Sequence, residues 1–156
     1  MKRPGIKVLL TCILLLAVTQ LVGCTTFNDV VRVKTEGAEG TSRIYPVDAE
    51  LSWEIARTVF RWEGTDAIEE HKDQGYMLTS SGMNLVTWGT VMGAWIEPVN
   101  EGATKVTVVT KRKMPLDFVT TLTEGTFHRR FEQAVEIVKS GQPLPQTPPV
   151  WSGNSY

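Results

Sequence analysis

The amino-terminal segment constrains this chain most strongly, because it carries an apolar run long enough to engage a membrane. Three basic residues open the chain: Lys2, Arg3 and Lys7. An almost continuous apolar stretch follows over residues 8–18, and Gly23 stands directly before Cys24. A positive start, about 7–15 apolar residues and a small residue at the cleavage point are typical of a secretory signal peptide. The pattern predicts that residues 1–23 are removed.

Two other interpretations of this segment stay open. It could be a retained transmembrane helix, but a span needs about 20 apolar residues, and Thr11, Thr19 and Gln20 interrupt the run. It could also be an ordinary signal peptide with an incidental cysteine before the mature chain. Cys12 lies inside the apolar stretch and would be discarded with it.

The tetrapeptide Leu21-Val22-Gly23-Cys24 resembles the lipobox of bacterial lipoproteins. The resemblance implies that the Cys24 thiol receives a diacylglyceryl group, that the chain is cut between Gly23 and Cys24, and that the new amino group is acylated. Two or more acyl chains anchor a protein stably, so no spanning helix is needed. Thr25, rather than Asp, follows the cysteine. This resembles sorting to the outer membrane, with the domain facing the periplasm.

The mature chain is a single acidic domain. Removal of residues 1–23 from the 156-residue chain leaves 133 residues, enough for one hydrophobic core. All 17 acidic residues lie after the cleavage point, but only 13 of the 16 basic residues do, which gives a net charge of about −4. A net negative charge argues against a nucleic-acid partner. With Cys12 lost and Cys24 lipidated, no disulfide can form.

Two segments have the 3.6-residue periodicity of amphipathic helices. The first covers residues 49–62, follows a capping residue at Asp48 and places apolar residues at these positions: Ala49, Leu51, Trp53, Ile55, Ala56, Val59, Phe60 and Trp62. The second begins near Thr123 or Glu124, ends at Gly141 and has this apolar stripe: Phe127, Phe131, Ala134, Val135 and Val138. Each helix therefore has one apolar face, which must pack against another part of the fold.

Five segments have the composition of strands: residues 42–46, 65–70, 76–80, 85–97 and 105–111. Side chains alternate along a strand, so Trp88 and Trp95 point to opposite faces of the fourth segment. The element order is strand, helix, four strands, helix. We predict an α+β fold in two layers, with an antiparallel sheet of four or five strands and two helices on one face.

The flanks of this domain are predicted to be irregular. The domain covers residues 41–141. Residues 24–40 are rich in loop formers and are interpreted as a lipidated tether, although residues 30–33 could form a short strand. Residues 142–156 contain four prolines and are interpreted as a disordered tail, which serves either as a spacer or as an extended polyproline segment that partners read.

Two short motifs carry a family resemblance: Tyr45-Pro46-Val47-Asp48 before the first helix, and Asp73-Gln74-Gly75-Tyr76 in a hairpin. With the anchor and the element order, they resemble small bacterial lipoproteins with helix-grip-like or TBP-like domains. These are akin to domains of the accessory lipoprotein C of the outer-membrane β-barrel assembly machinery. The resemblance implies a binding or assembly role and brings no catalytic residue.

The sequence offers little for catalysis, metal binding or a cofactor. His71 and His128 are the only histidines. His71 lies in an acidic turn and is interpreted as solvated, whereas His128 is interpreted as part of the polar face of the last helix. The chain has no nucleophile elbow and no phosphate-binding glycine loop. We expect no catalytic residue, no metal, no cofactor and no enzymatic reaction.

A candidate contact surface consists of two tryptophans and two basic clusters: Trp88, Trp95, Lys111, Arg112, Lys113, Arg129 and Arg130. The basic clusters flank the same connection and could form one positive patch for phospholipid headgroups, lipopolysaccharide phosphates or an acidic partner. They could equally be a strand end and a solvated helix face. Gly89 and Gly93 leave a low strip beside Trp95 for another backbone, helix or ligand.

Two functions are compatible with these features. The first is a membrane-anchored envelope lipoprotein that acts as a non-catalytic binding or assembly module, with another envelope protein as its partner. The alternative is a carrier or sensor that holds a small apolar ligand between the last helix and the sheet. A cavity of a few hundred Å³ under that helix favours the carrier, and a filled core with an exposed apolar strip favours the binding module.

Overall fold

The computed structural model describes residues 26–37, 40–65, 67–81, 89–113 and 123–150. These ranges contain three α-helices: α1 (Phe27–Glu36), α2 (Ala49–Trp62) and α3 (Glu124–Lys139). They also contain five strands: β1 (Thr41–Tyr45), β2 (Ile68–His71), β3 (Tyr76–Ser80), β4 (Thr90–Asn100) and β5 (Ala103–Arg112). Within the described ranges, no helix combines the length and the apolar composition that crossing a bilayer requires.

The five strands form one antiparallel sheet in the order β1-β5-β4-β3-β2. Neighbours in sequence pair from β2 to β5, and β1 returns to the edge next to β5, where Thr41 lies opposite Val108. The sheet and its two covering helices confirm the predicted α+β fold and its element order from residue 41 onward.

Local capping explains where the two predicted helices begin. The Asp48 carboxylate accepts a hydrogen bond from the Leu51 amide at 2.8 Å, and the Thr123 hydroxyl accepts one from the Thr126 amide at 3.2 Å. Such caps satisfy backbone donors that have no partner in the first turn of a helix. Helices α2 and α3 begin at the predicted positions for this reason.

Alternation along the central strand divides the sheet into two apolar faces. Met92, Ala94 and Ile96 of β4 face α2 and α3, whereas Val91 and Trp95 face the opposite side. The larger core lies under α2 and α3 and is dominated by three fully buried aromatic rings: Phe60, Phe127 and Phe131. The predicted facing of β4 is confirmed over its described residues.

Helix α1 corrects the interpretation of residues 24–40 as an irregular tether. Thr26 and Asp29 form a capping box at its start, and Gly37 ends it with a φ of 64°, a conformation that favours glycine. Neither the tether nor a short strand at residues 30–33 describes residues 27–36. Three of its four apolar residues are valines, a residue type enriched in strands, so the sequence did not identify the helix.

Tertiary packing is what makes α1 stable. Val30 and Val33 are buried on the back of the sheet, against this apolar set: Leu78, Val91, Trp95 and Val109. The Lys34 ammonium also reaches Glu97 of β4 at 3.3 Å. The molecule therefore has three layers, since α1 covers the sheet face that a two-layer arrangement would leave open.

Residues 142–150, named here the strap, correct the prediction of a disordered tail for this part of the chain. They have no regular secondary structure, as their prolines predict. However, Leu144 packs against the main core, and two strap carbonyls accept hydrogen bonds from α2 and α3. The strap therefore doubles back from the end of α3 and lies across the outer side of the helix pair.

Candidate functional site

Three of the predicted site residues lie outside the described residues. These are Gly23 and Cys24 at the predicted cleavage site and Trp88 before β4. The lipid anchor stays a prediction from the sequence, and so does the contact role of Trp88.

Trp95 does not form an exposed contact surface, because α1 covers it. Its side chain is only 8% exposed, and the centroid of its ring lies 5.6 Å from that of the Tyr76 ring. A Cβ atom at Gly93 would lie 2.6 Å from the Trp95 ring. The low strip predicted at Gly93 is therefore occupied by the tryptophan of the same strand, and α1 lies over both.

The structure divides the basic cluster at the end of β5. Val109 faces α1 and Val108 faces α3, so strand alternation places Lys111 on the α1 side and Arg112 on the α3 side. The Lys113 ammonium donates to the Ser81 carbonyl at 2.9 Å. Lys111 and Arg112 therefore lie on opposite faces of the sheet.

Arg130 belongs to a network between α2, α3 and the strap. Its guanidinium lies 3.3 Å from the Glu63 carboxylate and donates to the Gln133 amide oxygen and to the Pro149 carbonyl, both at 3.0 Å. Arg129 is exposed and donates to the Thr126 hydroxyl at 3.1 Å. The two arginines line one groove of about 280 Å³ along α3.

Trp62 holds the other part of the strap, a role that the sequence did not indicate. Its indole N–H donates to the Pro145 carbonyl at 2.9 Å, and its side chain is 7% exposed. A second groove of about 330 Å³ adjoins this contact and is lined by five residues: Thr58, Arg61, Leu144, Pro145 and Gln146. Trp62 and the prolines were visible separately, but no local pattern connects residues so far apart.

The sequence assigned His128 to the polar face of the last helix, and this prediction is wrong. The His128 side chain is fully buried. Nδ1 lies 2.7 Å from the Tyr45 hydroxyl, and Nε2 lies 3.0 Å from the Thr41 carbonyl oxygen. A carbonyl can only accept, so Nε2 donates and Nδ1 accepts from the hydroxyl. Burial lowers the pKa of His128 and raises the pKa of Tyr45. The pair is a neutral link between α3 and the edge strand β1.

A second polar network joins α2 to β2. The Glu70 carboxylate accepts from the Arg57 guanidinium at 2.8 and 2.9 Å and from the Trp53 indole N–H at 2.7 Å. The bonds from Arg57 are the main reason why the pKa of Glu70 is lowered. At the nearby turn, His71 lies 2.7 Å from Glu69 and stacks on Tyr76. In both arrangements, the charged and polar side chains are bonded to other residues of the same domain.

Among the described residues there is no recognisable metal site, and the side chains between α3 and the sheet are buried. Within the described ranges, no group of three histidine, cysteine or acidic side chains is placed to hold a metal ion. The space between α3 and the sheet is occupied by side chains with no exposed surface, among them Phe127, Phe131 and Ala134. The grooves described above lie on the outer side of α2 and α3 instead.

Comparison with known proteins leaves the family open. No protein-family model matches the sequence, and a search of curated proteins finds no match. Solved structures with a similar course of the chain include norcoclaurine synthase from Thalictrum flavum, with 8% identity and a TM-score of 0.45 over 69% of this chain and 88% of that one. A START superfamily protein from Mycobacterium smegmatis has 8% identity and a TM-score of 0.39 over 66% and 94%. Zhui aromatase/cyclase from a Streptomyces species has 14% identity and a TM-score of 0.28 over 65% and 86%.

These similarities carry no inference about a ligand or a reaction, because the identities are at most 14% and every TM-score is below 0.5. They do not bear on the anchor or on the resemblance to assembly-machinery lipoproteins either. The outer face of α2 and α3, where Trp62 and Arg130 hold the strap, is thus the candidate functional site on geometric grounds.

Proposed function

We propose that this protein is a lipid-anchored, non-catalytic binding module of the bacterial cell envelope, which holds a partner protein next to the membrane. One observation favours this proposal over the alternative of a carrier. Fully buried aromatic rings fill the space between α3 and the sheet, where a carrier would hold its apolar ligand. A binding module needs only its outer surface, where the described grooves lie.

The position of α1 limits the distance between such a module and the membrane. Cys24 precedes the capping residue Thr26 by two positions, which limits the distance between their Cα atoms to roughly 7 Å. Because α1 is packed on the sheet, a lipidated Cys24 would attach the folded domain almost directly to the bilayer. Partners would therefore be held close to the membrane rather than on a long tether.

The anchor is tested by replacing Cys24. In Cys24→Ser, we expect an uncleaved precursor without added acyl mass, detected by mass spectrometry of the purified protein. Cys12→Ser is the matched control, because it removes the other cysteine and leaves the lipobox intact. A normally processed, unlipidated product from Cys24→Ser would contradict the anchor.

The binding role is tested in intact envelopes with a photo-crosslinking residue placed at Arg129. We expect crosslinks to one protein from this position and none from Val99, an exposed residue at the tip of the β4–β5 hairpin. Saturable binding of one fluorescent fatty acid per chain, without a crosslinked protein, would contradict the binding module and support the carrier.

A further inference from the structure

We infer that the outer face of α2 and α3, where Trp62 and Arg130 hold the strap, is a binding site for proline-rich polypeptide segments, and that the strap occupies it in cis. The inference rests on the proposed binding role and names the class of partner. The strap shows what this face accepts, because a segment with four prolines and no regular secondary structure already lies on it.

The contacts follow the chemistry of polyproline recognition. Prolines lack an N–H and hold the chain extended, which leaves their carbonyls free to accept hydrogen bonds. The Trp62 indole donates to the Pro145 carbonyl at 2.9 Å, and the Arg130 guanidinium donates to the Pro149 carbonyl at 3.0 Å. Leu144 supplies the apolar contact between the segment and the main core. Both donors bind backbone carbonyls, which every polypeptide has. The carbonyls of another proline-rich segment can therefore accept the same two hydrogen bonds.

The two donors are also held by contacts outside the strap. Trp62 packs in the main core at the end of α2. The Arg130 side chain is oriented by Glu63, whose side chain is 15% exposed, and by Gln133 of its own helix. A donor that is already oriented loses less conformational freedom when a segment binds. The site is thereby preorganised for its ligand.

Charge distinguishes a partner segment from the strap. Arg61 and Arg129 line the two grooves that adjoin the strap contacts. The strap sequence Gln-Pro-Leu-Pro-Gln-Thr-Pro-Pro-Val contains no acidic residue, so it cannot form an ion pair with either arginine. A proline-rich segment that carries a glutamate near the position of Gln146 gains such a pair with Arg61. The favoured partner is therefore extended, proline-rich and acidic.

Covalent attachment makes the strap a strong competitor. A tethered segment acts at an effective concentration on the order of millimolar, so a free segment must exceed that level or bind more tightly. Weakening the strap should expose the site. Leu144→Gly in the whole chain removes the apolar contact of the strap and leaves Trp62 and Arg130 unchanged.

The test is a fluorescence anisotropy titration with a labelled peptide of the strap sequence, residues 142–150. We expect the Leu144→Gly chain to bind this peptide at least about tenfold more tightly than the wild-type chain. A peptide with Gln146→Glu should bind the variant about twofold to fivefold more tightly than the neutral peptide. Circular dichroism establishes that the variant is folded, and the milder Leu144→Ala serves if it is not.

Two tryptophan variants separate the site from general effects on the fold. Combined with Leu144→Gly, Trp62→Phe removes the donor to the strap and should weaken peptide binding about fivefold. Trp53→Phe is the matched control, because its indole donates to Glu70 of β2 and not to the strap, and it should leave peptide binding unchanged.

Equal peptide binding by the wild type and Leu144→Gly, or no binding by a folded Leu144→Gly or Leu144→Ala chain, would overturn the inference. Equal binding of a peptide whose prolines are replaced by alanine would overturn the proline-rich class of ligand. These titrations do not require the lipid anchor. Their failure therefore leaves the envelope role standing, whereas peptide binding without any crosslinked protein in envelopes counts against that role alone.

Discussion

Replacing His128 by glutamine is expected to remove an acid sensitivity of the fold. The imidazole is buried and neutral, with Nε2 donating to the Thr41 carbonyl and Nδ1 accepting from the Tyr45 hydroxyl. Burial lowers the pKa of His128 in the folded state, whereas the unfolded chain keeps the ordinary value of 6.5. Protons therefore bind the unfolded state first, and stability is complete above pH 6.5 and falls as the pH decreases through that value.

The size of this effect has an upper limit. At pH 5.5 an unfolded histidine carries about nine-tenths of a proton. If the folded state carries none, stability decreases by about 1.4 kcal/mol between pH 7.5 and 5.5. Glutamine at position 128 can donate to the same carbonyl and accept from the same hydroxyl. His128→Gln should therefore fold and lose this part of the pH dependence.

Urea unfolding followed by tryptophan fluorescence at pH 7.5, 6.5 and 5.5 measures the effect as the difference between the two chains. Both chains retain Arg43, Glu124 and Glu132 around the pair, so their contributions cancel to first order. His71→Gln is the control, because it removes the other histidine of the chain and leaves the buried ring in place. An unchanged pH slope in His128→Gln would refute the argument.

Two further predictions concern the back of the sheet. Val30→Ala should lower the free energy of unfolding by about 2 kcal/mol because it removes two fully buried methyl groups, whereas Arg32→Ala on the exposed side of α1 should change it by less than about 0.5 kcal/mol. Equal effects in urea unfolding would show that α1 is not packed on the sheet. Gly93→Ala should cost roughly 1–3 kcal/mol, because its Cβ would lie 2.6 Å from the Trp95 ring, while Gly102→Ala places its Cβ where no atom lies within 4 Å and should be nearly neutral in calorimetry. A neutral Gly93→Ala would show that Trp95 does not lie over this glycine.

The sequence by itself determined the elements whose pattern is strong and local. The apolar stripes of α2 and α3 and the alternation in β4 each report which side of an element needs cover, and the capping residues Asp48 and Thr123 mark where the helices begin. Such patterns depend on residues a few positions apart. They were sufficient to predict the α+β fold and its order of elements.

Only the tertiary structure decided what covers each face. Val30 and Val33 lie in a helix because the back of the sheet offers them an apolar surface, although valine is not a strong helix former. His128 is buried because Tyr45 and Thr41, which lie more than 80 positions earlier in the sequence, provide its hydrogen-bond partners. The strap is ordered because Trp62 and Arg130 donate to its carbonyls. These contacts join residues tens of positions apart, and a periodicity identifies an apolar side without identifying its partner.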